Sequence, residues 1–157
     1  MQNKKILFFH NSADTARLCR RILGKAYELI SAGFGDDGVG CAGKNDPDLV
    51  LIDLQDDLEA GLELCRHMTA DPSTSDIPVM VLFTRDDRQA ADLALAAGAA
   101  DYSSKPLIPT LFAKRVQTTI ERFSDRVPRC GRCRRPMHPE WLFCPYDGSA
   151  LAQVQSR

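Results

Sequence analysis

The sequence predicts an α/β protein built on a doubly wound, five-stranded parallel sheet. Short runs rich in Val, Ile, Leu and Phe alternate with longer stretches of helical period. The runs carry little polar alternation, as expected of strands buried on both faces. The alternation repeats five times, the pattern produced by right-handed crossovers between parallel strands.

KILFF (5–9) reads as the first strand, followed by the helix ADTARLCRRILGK, whose inner face is Ala16, Leu18, Cys19, Ile22 and Leu23 and which stops near Gly24. YELIS (27–31) is the second strand. GDDGVGCAGKN makes a short or frayed helix, because each glycine costs about 1 kcal/mol relative to alanine. LVLID (49–53) is the third strand, and LEAGLELCRHMTAD carries apolar positions 58, 60, 62, 64, 65 and 68 on one broad stripe. PVMVLFT (78–84), the helix DRQAADLALAAGA ending at Gly98, ADYSS (100–104) and the amphipathic helix LIPTLFAKRVQTTIERF complete the set. The first domain is therefore expected over residues 1–124, with DRVPR (125–129) as a linker to a stretch of different chemistry at 130–157.

A chain of 157 residues with 44% hydrophobic and 26% charged residues suits one globular domain with a small appendage. A net charge of −1 sets up no global field to recruit nucleic acid or an acidic membrane. The charge is uneven: residues 1–124 hold 14 Lys/Arg against 18 Asp/Glu, while residues 125–157 hold 6 arginines against 3 acids. No stretch approaches the roughly 20 apolar residues of a membrane span. MQNKK leads directly into a strand rather than a signal segment, so a cytoplasmic location is expected. Cys19, Cys41 and Cys65 are scattered, whereas Cys130, Cys133 and Cys144 crowd into 15 residues. In a reducing compartment such clustering points to metal rather than to disulfides.

Asp53 closes the third strand, Thr84 closes the fourth and Lys105 follows the fifth. Parallel strands bring those ends to one rim of the sheet, where ligands of open α/β folds sit. A carboxylate, a hydroxyl and an ammonium converging there suit phosphoryl chemistry: the first as nucleophile, the others to hold phosphoryl oxygens. Gly61 follows Asp53 by eight residues, Tyr102 precedes the lysine by three, and a Lys105-Pro106 pair ends AAGAADYSSKP.

In this order and spacing, residues 3–124 resemble the receiver domain of bacterial response regulators, the CheY-like family. The resemblance implies a flavodoxin-like sheet of order 2-1-3-4-5, a cis peptide before Pro106, Asp53 as phosphoacceptor, Lys105 as its charge partner and Thr84 as donor to the phosphoryl group. It makes Tyr102 the switch residue, coupled to Thr84, that reports on the face of the fourth helix, fifth strand and fifth helix. A histidine kinase or phosphotransfer protein would be the donor in such a phosphorelay, and a downstream protein the target. No enzyme activity beyond self-phosphorylation is expected.

The chain departs from the family at the metal. Two adjacent acids normally end the first strand and hold Mg²⁺; FFHNS places His10 and Asn11 there. Mg²⁺ takes near-octahedral oxygen ligation through one or two carboxylates, so its affinity is expected to fall sharply with Asp53 alone. Asp14, at the start of the first helix, is a candidate partial substitute. Asp57 stands where the family usually has proline, and Arg85 follows Thr84, where it would shield the pocket or dock an anion. Either Asp53 is still phosphorylated, slowly, or the site is a relic with Asp53 solvated, His10 capping a strand and Lys105 permanently paired with Asp53. A further reading makes His10 a transition-metal ligand. His67 reads as solvated, Cys19 and Cys65 as core residues of their helices, and Cys41 as a thiol with no partner in view.

The tail reads CGRCRRPMHPEWLFCPYDG. Cys130-x2-Cys133 is a metal-knuckle spacing, and Cys144 arrives after ten intervening residues, followed by Asp147 where a second knuckle would place its last ligand. His138 is the alternative fourth ligand. The stretch resembles a bacterial zinc ribbon ending FCPYDG, which favours Asp147. Trp141, Leu142, Phe143, Tyr146 and Leu151 would supply only a minimal core, so Zn²⁺ is expected to hold the fold together. Arg126, Arg129, Arg132, Arg134 and Arg135 either contact phosphates of a nucleic acid or offset the thiolates. The favoured expectation is an atypical response regulator whose ribbon docks protein or forms a homodimer; a pseudo-receiver adaptor and a nucleic-acid adaptor are the alternatives.

Overall fold

The computed structural model describes residues 4–34, 37–54, 57–84, 88–124, 130, 132 and 142–150. Its elements are β1 (Lys4–Phe9), α1 (Ala13–Leu23), β2 (Tyr27–Ala32), α2 (Gly38–Asn45), β3 (Leu49–Asp53), α3 (Leu58–Ala70), β4 (Val79–Thr84), α4 (Arg88–Ala96), β5 (Asp101–Lys105) and α5 (Pro109–Ser124). The sheet runs β2-β1-β3-β4-β5, with every neighbouring pair parallel. Each strand lies within one residue of the bounds read from the sequence.

Period-two alternation sorts the strand residues onto two cores. Leu7, Phe9, Val50, Ile52, Val79 and Val81 face α2, α3 and α4, while Ile6, Phe8, Leu49, Leu51, Met80 and Leu82 face α1 and α5. All five β3 residues are buried, and each fully buried Leu, Ile, Val or Phe contributes roughly 1.5–3 kcal/mol. The central strand is thus the most firmly placed element, and the position of Asp53 at its end follows from that.

Local chemistry sets the element ends. Ser12 caps α1 by accepting from the Thr15 amide at 3.4 Å, and Asp57 caps α3 by accepting from the Ala60 amide at 3.0 Å. The acid found in place of the family's proline therefore has a local task. α2 is short, as expected, but packs closely: a Cβ on Gly38 would stand 2.2 Å from Leu64 Cδ1 on α3. Tertiary packing overrides the low helix propensity of its glycines. The chain turns from α4 into β5 through Gly98, whose φ of 101° suits glycine. The Lys105-Pro106 peptide is cis.

One assignment on α1 is corrected. Ala16, Cys19 and Leu23 are buried, but Leu18 is exposed, because it falls on the opposite side of a 3.6-residue turn from Ala16. No helix among the described residues is long and apolar enough to cross a membrane.

Candidate functional site

The rim of the sheet is assembled by register. β1 and β3 pair Phe9 with Ile52, so His10 and Asp53 each lie one residue beyond that rung. Thr84 and Lys105 share the last rung of β4 and β5. Asp53 is only 1% exposed, so the alternative of a solvated carboxylate does not hold. It is held as an ion pair, Lys105 donating from Nζ to Asp53 Oδ2 at 2.8 Å. Pairing is what makes burial of such a charge tolerable.

Thr15 is a residue the sequence reading missed. Lys105 Nζ also donates to its Oγ1, at 3.2 Å. Thr15 sits in the first turn of α1, and its backbone amide is tied to the Ser12 cap. A helix that starts after only three connecting residues returns its first turn over the rim, and that geometry was the available signal.

His10 lies beside this pair and tilts against Phe8. Neither ring nitrogen makes a hydrogen bond of ordinary geometry. Burial, reinforced by the nearby Arg20 cation, pushes its pKa below the usual value; Asp53 and the Ser12 backbone pull the other way. A neutral imidazole is the result. Asn11 is exposed. Asp14 does not substitute for a missing acid: its side chain is 93% exposed and 3.7 Å from Arg17. Helix phase directs it away from the rim.

Receiver domains bind Mg²⁺, and among the described residues the rim offers it a single carboxylate, Asp53. One carboxylate already carries an ammonium, its neighbour on β1 is a neutral imidazole, and Asp14 points to solvent. Arg85 lies outside the described residues.

Thr84 ends β4 exposed. Tyr102 is turned inward, its ring 5.3 Å from that of Phe83, and its carbonyl accepts from Arg115 Nη1 at 2.8 Å. A cavity of about 170 Å³ lies between β5 and the start of α5, lined by Ser103, Lys105, Pro106, Ile108, Leu111 and Arg115. Gly61 sits directly behind the strand end, since a Cβ there would approach Leu54 Cδ2 to 2.3 Å.

The thiols of the domain are structural. Cys19 is fully buried on α1, and burial pushes its thiol up to about 12, with Asp53 raising and Lys105 lowering it. Burial likewise takes Cys65 up to about 11. Cys41 is half-buried, its carbonyl accepting from Asn45 Nδ2. His67 is largely exposed, 4.0 Å from Glu63.

In the tail, the ligand atoms of Cys130, Cys144 and Asp147 lie within 4.8 Å of one another. Cys144 and its following turn close on themselves: the Gly148 amide donates to the Cys144 carbonyl at 2.9 Å, and the Cys144 amide to the Ser149 carbonyl at 2.8 Å. Gly148 takes a φ of 71° to do so. The Arg132 amide points at Cys130 Sγ from 3.4 Å, and Ser149 fixes Asp147 Oδ1 through its amide at 2.8 Å. Cys133, His138, Trp141 and Leu151, together with Arg126, Arg129, Arg134 and Arg135, lie outside the described residues. The apolar tail core is corrected: Leu142, Phe143 and Tyr146 are 75%, 63% and 53% exposed, whereas Cys130 and Cys144 are buried. Among the described tail residues, the buried side chains are thus Cys130 and Cys144.

Comparison with known proteins agrees with this geometry. The profile of the response regulator receiver domain matches residues 6–117. The DNA-binding response regulator MtrA of Mycolicibacterium paratuberculosis is 30% identical over 123 residues, which cover 78% of this chain and 53% of that protein. Response regulator PleD of Caulobacter vibrioides is 28% identical over 106 residues, 68% of this chain and 23% of that one. The chain thus spans about half the length of the first and a quarter of the second. A crystal structure of a putative response regulator from Chloroflexus aurantiacus superposes with a TM-score of 0.71 at 26% identity, covering 76% of this chain and 99% of that one. The BeF3-activated receiver domain of RstA from Klebsiella pneumoniae gives 0.65 at 26% identity, covering 74% and 98%. With the sheet order, the acid at the end of β3 and the lysine at the end of β5 in place, the chain belongs to the response regulator receiver domain family.

Proposed function

We propose that the chain is an atypical response regulator of two-component signalling, with Asp53 as candidate phosphoacceptor and a C-terminal zinc ribbon as its protein-interaction element. The observation that carries the first part is the buried Asp53 carboxylate held by Lys105 at 2.8 Å on the strand-end rim. Lys105 is positioned to follow a phosphoryl group added to Asp53, and Thr84, exposed on the same rung, to donate to it. Tyr102 would report the change towards α4, β5 and α5. A histidine kinase or phosphotransfer protein is the proposed donor.

For the ribbon, two buried thiols and a carboxylate converge within 4.8 Å, a donor set that suits Zn²⁺. Cys133 would complete it with Cys130, Cys144 and Asp147; His138 is the alternative to Asp147. The exposed Leu142, Phe143 and Tyr146 support protein docking over nucleic-acid binding, because interfaces favour aromatic side chains. MtrA is DNA-binding by name, but DNA binding with a steep salt slope would be needed here to favour the arginine-rich tail as a nucleic-acid adaptor.

A second reading is a phosphorylation-independent pseudo-receiver, favoured by His10 and Asn11 in place of the acidic pair and by the outward Asp14. Native mass spectrometry separates the two. The protein is incubated with acetyl phosphate and Mg²⁺ beside Asp53→Asn. One zinc plus one phosphoryl group that is lost in the variant supports the phospho-receiver. Zinc without phosphorylation supports the pseudo-receiver.

A further inference from the structure

Asp147 turns its two carboxylate oxygens to different tasks. Oδ1 accepts from the Ser149 amide at 2.8 Å and from the Ser149 hydroxyl. Oδ2 lies 3.5 Å from Cys130 Sγ, whose thiol donates to it. An aspartate bonded to the backbone two residues on is a common loop device, but here the second oxygen is turned on a buried sulfur. We infer that Asp147 is a metal ligand through Oδ2 and that Ser149 is the positioning residue that holds it in place. This deepens the zinc reading of the tail given above and rests on it.

The distances are those of a metal site. Two ligands of a tetrahedral Zn²⁺, a thiolate at about 2.3 Å and a carboxylate oxygen at about 2.0–2.2 Å, stand about 3.5–3.6 Å apart. Cys130 Sγ and Asp147 Oδ2 have that separation, and the ligand atom of Cys144 lies with them inside 4.8 Å. Ligation would require loss of the Cys130 thiol proton rather than a movement of either side chain. Ser149 is itself held from behind. Its carbonyl accepts from the Cys144 amide at 2.8 Å, the Gly148 amide donates to the Cys144 carbonyl at 2.9 Å, and Phe143 bridges Ala150 antiparallel. The residue that orients the carboxylate is thus tied by its backbone to one that supplies a sulfur, and its hydroxyl also lies 3.4 Å from the other sulfur, on Cys130. With two donors on Oδ1, rotation of the carboxylate is checked and Oδ2 is left as the ligating atom.

Co²⁺, a spectroscopic stand-in for Zn²⁺, tests this when titrated into the chelator-treated full-length chain and then displaced with Zn²⁺. Asp147→Asn keeps an oxygen for Ser149, and so keeps the turn, but offers the metal an amide nitrogen. Its Zn²⁺ affinity is expected to fall at least about a hundredfold, with shifted Co²⁺ d–d bands. Ser149→Ala is expected to lose about tenfold, and Ser149→Thr to stay near wild type. Asp147→Cys should bind at least as tightly as wild type and gain thiolate-to-cobalt charge-transfer absorption. In that background Ser149→Ala should cost nothing, since no carboxylate is left to orient.

Asp147→Asn with wild-type affinity and spectrum overturns the assignment, as does a loss produced by His138→Ala in its stead. Ser149→Ala that costs as much beside Asp147→Cys as it does alone marks a purely structural role and overturns the part given to Ser149. A wild type that binds neither metal overturns the zinc reading, and this one with it. Metal that the wild type binds and Cys144→Ser loses upholds the zinc reading, so that any of the first three results then tells against Asp147 and Ser149 alone.

Discussion

Phe8 and His10 stack at the end of β1 with ring centroids 4.8 Å apart and planes inclined by 43°. Their i, i+2 spacing puts both rings on the α1 and α5 side of the sheet. Burial there keeps the imidazole neutral and pushes its pKa below the ordinary 6.5. The unfolded chain therefore binds more protons than the folded one as pH falls through 6.5. The stability His10 contributes is complete above that value and is lost on acidification, until the folded-state pKa is passed. Urea midpoints at pH 7.5 and 5.5 should fall more for the wild type than for His10→Phe. An equal fall in both would assign the acid sensitivity elsewhere.

The Asp53–Lys105 pair should respond unequally to loss of either partner. Lys105→Met deprives a carboxylate that is 1% exposed of the Lys105 ammonium, at a cost of about 3 kcal/mol. Asp53→Asn retains a carbonyl acceptor for the ammonium and should cost markedly less. Equilibrium urea unfolding of both variants gives the order; a more severe loss from Asp53→Asn would contradict it.

Gly98→Ala is expected to be more damaging than its surface position at the end of α4 suggests. Its φ of 101° disfavours any side chain, and the new Cβ would meet three Thr69 side-chain atoms at 2.7–2.9 Å. Thr69 cannot yield cheaply, because its single hydroxyl proton is held between the Cys65 and Ala97 carbonyls, which lie 2.9 and 3.0 Å from Oγ1. A loss of about 2 kcal/mol or more is expected, measurable as a lowered thermal midpoint.

The tail should lose its metal without taking the sheet with it. Cys144→Ser removes one of the two buried thiols among the described tail residues, and zinc content by atomic absorption is expected to fall from one equivalent to near zero. Metal-dependent folding predicts loss of ordered tail signals in NMR on chelation. The main urea transition should stay in place. Full zinc retention in Cys144→Ser would rule out the proposed ligand set.

The strands were legible because an unbroken apolar run in a parallel sheet has few other uses, and LVLID occupies its expected bounds. Asp53, Thr84 and Lys105 could be placed from the strand ends alone. Thr15 could not, because its part depends on the phase at which α1 returns over the rim, and a one-residue difference in helix start would turn it away. Leu18 was misplaced for the same angular reason. The tail aromatics were read as a core from their apolarity, yet among the described tail residues Cys130 and Cys144 are buried and Leu142, Phe143 and Tyr146 are exposed. Apolar character reports burial dependably only where enough chain exists to do the burying.

At the opposite edge of the sheet from the rim, Asp48 holds Lys5 twice: its amide donates to the Lys5 carbonyl at 2.8 Å, and its Oδ2 accepts from the Lys5 amide at 2.9 Å. From that clasp to the site, both β1 and β3 advance five residues, about 16 Å of strand. It works as the zero of a ruler. A slip of one residue there would turn Asp53 to the opposite face and part it from Lys105, so the chemistry of the rim is calibrated by a contact that never touches it.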